Sequence, residues 1–99
     1  MFLVRDIMYC KPGQVRPMVQ KFLALDKVGR PMGFPAIRVT TDVCAERYWT
    51  VVAEMEVESV DKHAEMVRKS MELKEFHEAM KGYHDLVVKG RREIYAIEK

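Results

Sequence analysis

The chain lacks any apolar run approaching the roughly 20 residues that a membrane-spanning helix requires. It also lacks a dominant charge: 17 Lys and Arg stand against 15 Asp and Glu, a formal charge of +2. So even a balance gives no electrostatic ground for a nucleic-acid or membrane partner. Cysteine is scarce, two in 99 residues against eight methionines, which suits a reducing compartment. The opening "MFLVRD" meets both charges within its first six residues, so it has no secretory leader pattern, and the expected location is cytoplasmic. No Ser/His/Asp or Cys/His spacing commits to a nucleophile, and "KPGQ", with one glycine, is a turn rather than a phosphate loop.

What is present is the composition of one globular domain spanning residues 1–99, 48% hydrophobic and 32% charged. "FLVRDIMYC" (2–10) is β-branched and aromatic and stops at "KPG", which makes it the first strand. From Val15 the period changes: Val15, Met18, Val19, Phe22 and Leu23 share one helical face. Pro17 falls in the first turn, where its missing N–H costs little, and Pro31, Gly33 and Pro35 end the helix near Gly29. "AIRVTTDVC" (36–44) and "RYWTVVAEMEV" (47–57) both alternate, and a tight link near Ala45–Glu46 makes them a hairpin. Ser59 is the expected cap of a second helix with the stripe Val60, Ala64, Val67 and Met71. A further helical segment carries Leu73, Phe76, Met80, Tyr83 and Val87, with Gly82 as its weak point. Gly90 marks the last turn, and "RREIYAIE" (91–98) is the closing strand.

This βαββαβ order, with right-handed crossovers, predicts an α+β ferredoxin-like domain: an antiparallel sheet ordered 4-1-3-2 with both helices on one face. Cys10 and Cys44 then end strands separated by a third, about 9.6 Å apart and beyond the ~7 Å reach of a disulfide, so free thiols are expected. The other sheet face has no cover within the chain. Its centre would carry Tyr48, Thr50 and Val52, with Glu54 and Glu56 beyond, a surface too apolar at one end to suit water. Two copies packed sheet to sheet would shelter it and bring the carboxylates within reach of Arg5, Arg38 or Arg92.

A βαββαβ chain of this length, opening with a strand, "KPG" and an amphipathic helix, resembles the dimeric α+β barrel superfamily. Its tail, "LKEFHEAMKGYHDLVVKGRREIY", is similar to that of the NIPSNAP-like and antibiotic-biosynthesis-monooxygenase-like groups. The resemblance implies a homodimer whose two sheets form a barrel, often with a pocket between each sheet and its helices. The superfamily includes cofactor-free monooxygenases, haem-degrading enzymes, isomerases and proteins without an assigned role, and the fold alone does not choose among them. The haem-degrading members imply an Asn–Trp–His set; here Asp6 stands nearest the Asn, Met66 or Val67 nearest the Trp, and the only tryptophan, Trp49, is on strand three. Haem degradation is not expected. An RNA-recognition role is also not expected, because "RYWTVVAEM" has no glycine and its two aromatics point to opposite faces.

The candidate acid–base residues are Asp6, His77 and His84. Asp6 interrupts an apolar strand, where burial would make it a general base and an arginine such as Arg5 or Arg92 would make it structural. His77 and His84, seven apart, would share one face of an unbroken helix; they serve either proton transfer or the boundary of the apolar stripe. His63 is a boundary residue by the same logic. No metal or cofactor is expected, since no further His or Cys stands at ligand spacing. Only one of Arg91 and Arg92 can face a given side of a strand, so one would meet a carboxylate and the other solvent. The expected function is to bind a small organic or aromatic molecule between sheet and helices. The alternatives are a cofactor-free monooxygenase or isomerase, and a module of assembly or regulation without chemistry. A continuous cavity holding a titratable group would separate the first two from the third.

Overall fold

A computed structural model describes all of residues 1–99. The elements are β1 (Phe2–Cys10), α1 (Val15–Gly29), β2 (Arg38–Thr41), β3 (Thr50–Val57), α2 (Val60–Met71), α3 (Lys74–Ala79) and β4 (Val87–Ala96). Short 3-10 turns lie at Arg30–Met32 and Tyr83–Asp85. The four strands form one antiparallel sheet ordered β2-β3-β1-β4, as the sequence predicts. The principal extents, 35 × 34 × 18 Å, describe a flat two-layer slab, one layer of sheet and one of helices. No helix is long and apolar enough to cross a membrane.

Side chains alternate across a strand, so the register sorts the residues into two faces. Val4, Asp6, Met8 and Cys10 of β1 meet the helices, as do Val51, Ala53, Met55 and Val57 of β3 and Arg92 of β4. Met18, Val19 and Phe22 of α1 pack there on Cys10, Val51 and Ala53 as the main core. Leu23, expected in the stripe, is exposed; the inward line continues instead through Leu25 to Gly29. Both cysteines are free, Cys10 buried and Cys44 exposed, and burial together with Asp42 pushes the Cys10 thiol pKa up.

Four expectations shift in the structure. The hairpin is shorter than 36–57 suggests, because residues 42–49 form a loop rather than a tight turn. Trp49 takes a left-handed φ of 63°, which no strand accommodates, and Asp42 accepts the Thr50 N–H at 2.9 Å to close the loop. The closing strand begins at Val87, and Gly90 lies inside it, not at a turn. There Met8 crosses over it: a Cβ at Gly90 would meet Met8 Sδ at 2.9 Å. The segment after α2 is broken, α3 ending at Ala79 and Gly82 adopting a φ of 79°. His77 and His84 therefore do not share one unbroken helix face.

The fourth shift concerns α2. Ser59 caps it as expected, accepting the Lys62 N–H at 3.0 Å. The helix is rotated from the expected stripe, however: Val60 and Met71 are 46% and 65% exposed, Ala64 is exposed, and His63 is the helix's one buried residue. The inward line runs His63, Met66, Val67 and Ser70, again i, i+3, i+4, i+7.

Candidate functional site

Between the sheet and the three helices lies a cavity of about 570 Å³. β1 contributes Asp6 and Met8, β3 Met55, and β4 Arg92. The inward line of α2 forms a second wall, and Phe22 and Leu25 of α1 with Phe34, Phe76 and Met80 form the apolar end. Phe34 and Phe76 meet at a centroid distance of 5.4 Å. Gly29 lets Phe34 approach, since a Cβ there would stand 3.3 Å from Phe34 Cβ. The loop that carries Phe34 is tied back by Asp26, whose Oδ1 accepts from Ile37 N at 2.9 Å and Arg30 Nε at 3.0 Å.

The polar part of the wall is small and specific. Asp6 and Arg92 are cross-strand partners, and Arg92 Nε donates to Asp6 Oδ1 at 2.5 Å. Of the two outcomes left open for Asp6, the structure gives the arginine pair, and it places that pair on the cavity wall. The Arg91–Arg92 doublet divides between the two faces as expected, but both members meet carboxylates: Arg92 holds Asp6, and Arg91, on the opposite face, lies 3.0 Å from Glu93 Oε2.

His63 stands over this pair at 4% exposure. Burial lowers its pKa below the ordinary 6.5, the Arg92 guanidinium lowers it further, and Asp6 opposes both. The imidazole is therefore neutral at physiological pH, and none of the chain's hydrogen bonds engages its ring. Sequence reasoning placed His63 at the margin of α2 because it counted only apolar letters. The i, i+3, i+4, i+7 spacing of His63, Met66, Val67 and Ser70 was the signal available.

The two predicted histidines also reach the cavity, so it collects all three histidines of the chain. Both are exposed and already engaged. His77 Nε2 lies 2.5 Å from the Met71 carbonyl oxygen, and the His84 ring packs on Tyr83 with centroids 3.9 Å apart. They are open to solvent, whereas His63 and Asp6 lie deeper, with the half-exposed Arg92 side chain beside Asp6. No group of His, Cys, Asp and Glu is arranged to hold a metal ion.

No protein-family model and no curated protein matches the sequence. Solved structures do match its backbone. An uncharacterised NIPSNAP domain protein from Burkholderia xenovorans aligns at 9% identity over 98% of this chain and 94% of its own, with a TM-score of 0.80. The chain shares that protein's backbone fold. A protein from Agrobacterium tumefaciens aligns over 100% of this chain and 95% of its own at 13% identity and a TM-score of 0.83. One from Chloroflexus aurantiacus, provisionally assigned as an antibiotic biosynthesis monooxygenase, aligns over 99% and 94% at 13% identity and 0.73. At such identities the NIPSNAP likeness is one of backbone, and the chemistry of the cavity has to be read from this chain's own side chains.

Proposed function

We propose that this NIPSNAP-fold protein is a homodimer that binds a small, largely apolar, aromatic or alicyclic molecule in the cavity between its sheet and helices. The observation that carries the proposal is the cavity itself: about 570 Å³, apolar at one end and closed at the other by Asp6, Arg92 and His63. Binding sites for small molecules have this make-up, a hydrophobic enclosure with a few convergent polar groups. A domain serving assembly alone has no need to leave such a volume unfilled, since close packing of the same side chains would stabilise it further.

Support for the dimer comes from the sheet's other face. Ile7, Tyr9 and Val52 form an apolar cluster there. Charged side chains cover it in part: Arg47 lies 4.5 Å and Arg91 5.8 Å from the Tyr9 ring centroid. Arg5 stands 3.1 Å from Glu54 and 3.7 Å from Glu93, and Arg38 stands 3.4 Å from Glu54. Arg5 and Arg38 thus already hold carboxylates of their own chain, and Arg92, on the helix side, takes no part. On this face Tyr95 is 48% exposed, and Tyr48, in the loop before β3, is 85% exposed. A twin sheet would bury that aromatic rim, as a monomer in water leaves it uncovered.

The test of binding is thermal: small aromatic acids, quinones, ketones and haem are screened against the pure protein. A ligand that binds only the folded state raises the melting temperature, by about 2.7 kcal/mol of stabilisation at a hundredfold excess over Kd. Failure of every class would remove the proposal. Sedimentation at micromolar concentration tests the dimer separately.

A second reading, a cofactor-free oxygenase or isomerase, is favoured over simple carriage by one observation. A buried imidazole whose neutral form is favoured, and which has no hydrogen-bond partner in the chain, shares the cavity with an ion pair, which is the setting of a general base.

A further inference from the structure

We propose that the cavity performs proton transfer at carbon: an uncharged cyclic ketone, its carbonyl oxygen directed at Arg92, loses an α-proton to the imidazole of His63. The inference rests on the cavity being a binding site and adds the substrate class and the residue roles.

The charge of the ligand follows from the wall. Asp6 and Arg92 satisfy one another through Arg92 Nε, so the floor of the site carries no net charge. A carboxylate ligand would bring a charge to a floor already balanced, and desolvating it there is costly, because the one cation on the wall outside any salt bridge, Lys81, is exposed to solvent. A neutral carbonyl asks for less. The terminal nitrogens of Arg92 take no hydrogen bond within the chain and remain as donors for an oxygen acceptor. The apolar end, with Phe22, Phe34, Phe76 and Met80, suits a ring.

The base follows from partners. The titratable and charged groups on the cavity are Asp6, Asp26, His63, His77, Lys81, Tyr83, His84 and Arg92. Asp6 is held by Arg92, and Asp26 by Arg30 and the Ile37 N–H. His77 is held by Met71, and His84 is packed against Tyr83 at the exposed end. His63 alone is both buried and unengaged.

In the step itself a C–H bond α to the carbonyl breaks and an N–H bond forms on His63. The electron pair moves onto the carbonyl oxygen, giving an enolate that faces the Arg92 guanidinium, while Asp6 stabilises the new imidazolium. Return to the same carbon of a proton that has exchanged with solvent on the imidazolium gives hydrogen exchange; return to a conjugated carbon gives isomerisation. No oxidant, reductant or cofactor is consumed. Both developing charges thus appear next to a preformed opposite charge, the arrangement that most lowers such a barrier.

The experiment follows α-proton exchange of 2-tetralone in D₂O by NMR, alongside the melting temperature. The expected result is saturable exchange above the buffer rate. Its pH profile should rise to a plateau with a midpoint below about 6.5, since the imidazole must be neutral. His63→Gln should slow exchange roughly 100-fold or more while the ketone still raises the melting temperature. A ketone that binds but exchanges only at the buffer rate would overturn the proton-transfer inference and leave the binding site standing. So would His63→Gln exchanging as fast as the parent. Absence of any binding would remove both. If His63→Gln does not fold, the wild-type protein decides: the midpoint of the exchange profile should coincide with that of the His63 imidazole followed by NMR titration, and a clear mismatch would overturn the assignment to His63.

Discussion

The two faces of the sheet solve opposite problems with similar letters. The helix side combines apolar side chains with one ion pair and a buried histidine, and leaves a cavity. The other side combines an apolar cluster with four arginines and two glutamates, and leaves no cavity but a plate of ion pairs. In the first, polar groups are few: His63 is almost fully buried, whereas Arg92 keeps 46% of its side chain in solvent. In the second, charges are many and share partners, with Glu54 held between Arg5 and Arg38, so each surface pair is worth little by itself. The lesson is that the same kinds of residue leave a cavity on one face and a plate of ion pairs on the other, according to how the charges are distributed.

That contrast can be broken from either side. The largest effect on stability is expected from Met18→Ala, which opens the fully buried core under α1 and should cost about 2–5 kcal/mol in urea denaturation. Val52→Ala on the opposite face removes a smaller apolar group, and its cost should grow with protein concentration if a twin sheet covers it. A cost independent of concentration would count against the dimer.

Next comes Asp6→Asn, which leaves Arg92 without a carboxylate. Both side chains are partly open, so the expected loss is about 1 kcal/mol. The sharper sign is electrostatic: Asp6 raises the His63 pKa, so an NMR titration of the variant should place His63 lower than in the parent. An unchanged value would mean that the pair does not govern the imidazole.

A smaller effect concerns pH. The folded pKa of His63 lies below its unfolded value near 6.5, so the unfolded chain binds the proton first as pH falls. Stability is therefore full above about 6.5 and declines as pH drops through that value, until the folded imidazole also protonates. His63→Gln should flatten this part of the curve in thermal melts from pH 7.5 to 5.5; an unaltered slope would place the effect on other groups. Smallest of all is Arg38→Met at the edge of the ion-pair plate, expected to change stability by less than about 1 kcal/mol in the same assay.

The sequence made the sheet legible because alternation along β1 and β3 is strict and each strand has a defined wet or dry side. Strand order, the α1 stripe and the Ser59 cap followed from rules that act over a few residues. Asp6 was legible as an anomaly, an acid in an apolar strand. The orientation of α2 was not, because matching apolar letters to a helical period presumes that the helix packs on a dry core. Here it packs over a cavity, which admits His63 and Ser70 at its border, releases Val60 to the surface and leaves Met71 at the cavity's exposed edge. The break at Gly82 was half legible: glycine marked the place, and the left-handed φ of 79° that separates His77 from His84 is visible only in three dimensions.

The methionines provide the most direct test, because five of the eight, Met8, Met55, Met66, Met71 and Met80, line the cavity, and Met1, Met18 and Met32 do not. With all eight methyl groups carrying ¹³C, 2-tetralone is titrated in and the eight methyl resonances are followed. The account predicts saturable shifts concentrated in the five. Shifts confined to Met1, Met18 and Met32, or no saturable shift at all, would contradict a ligand site between the sheet and its helices.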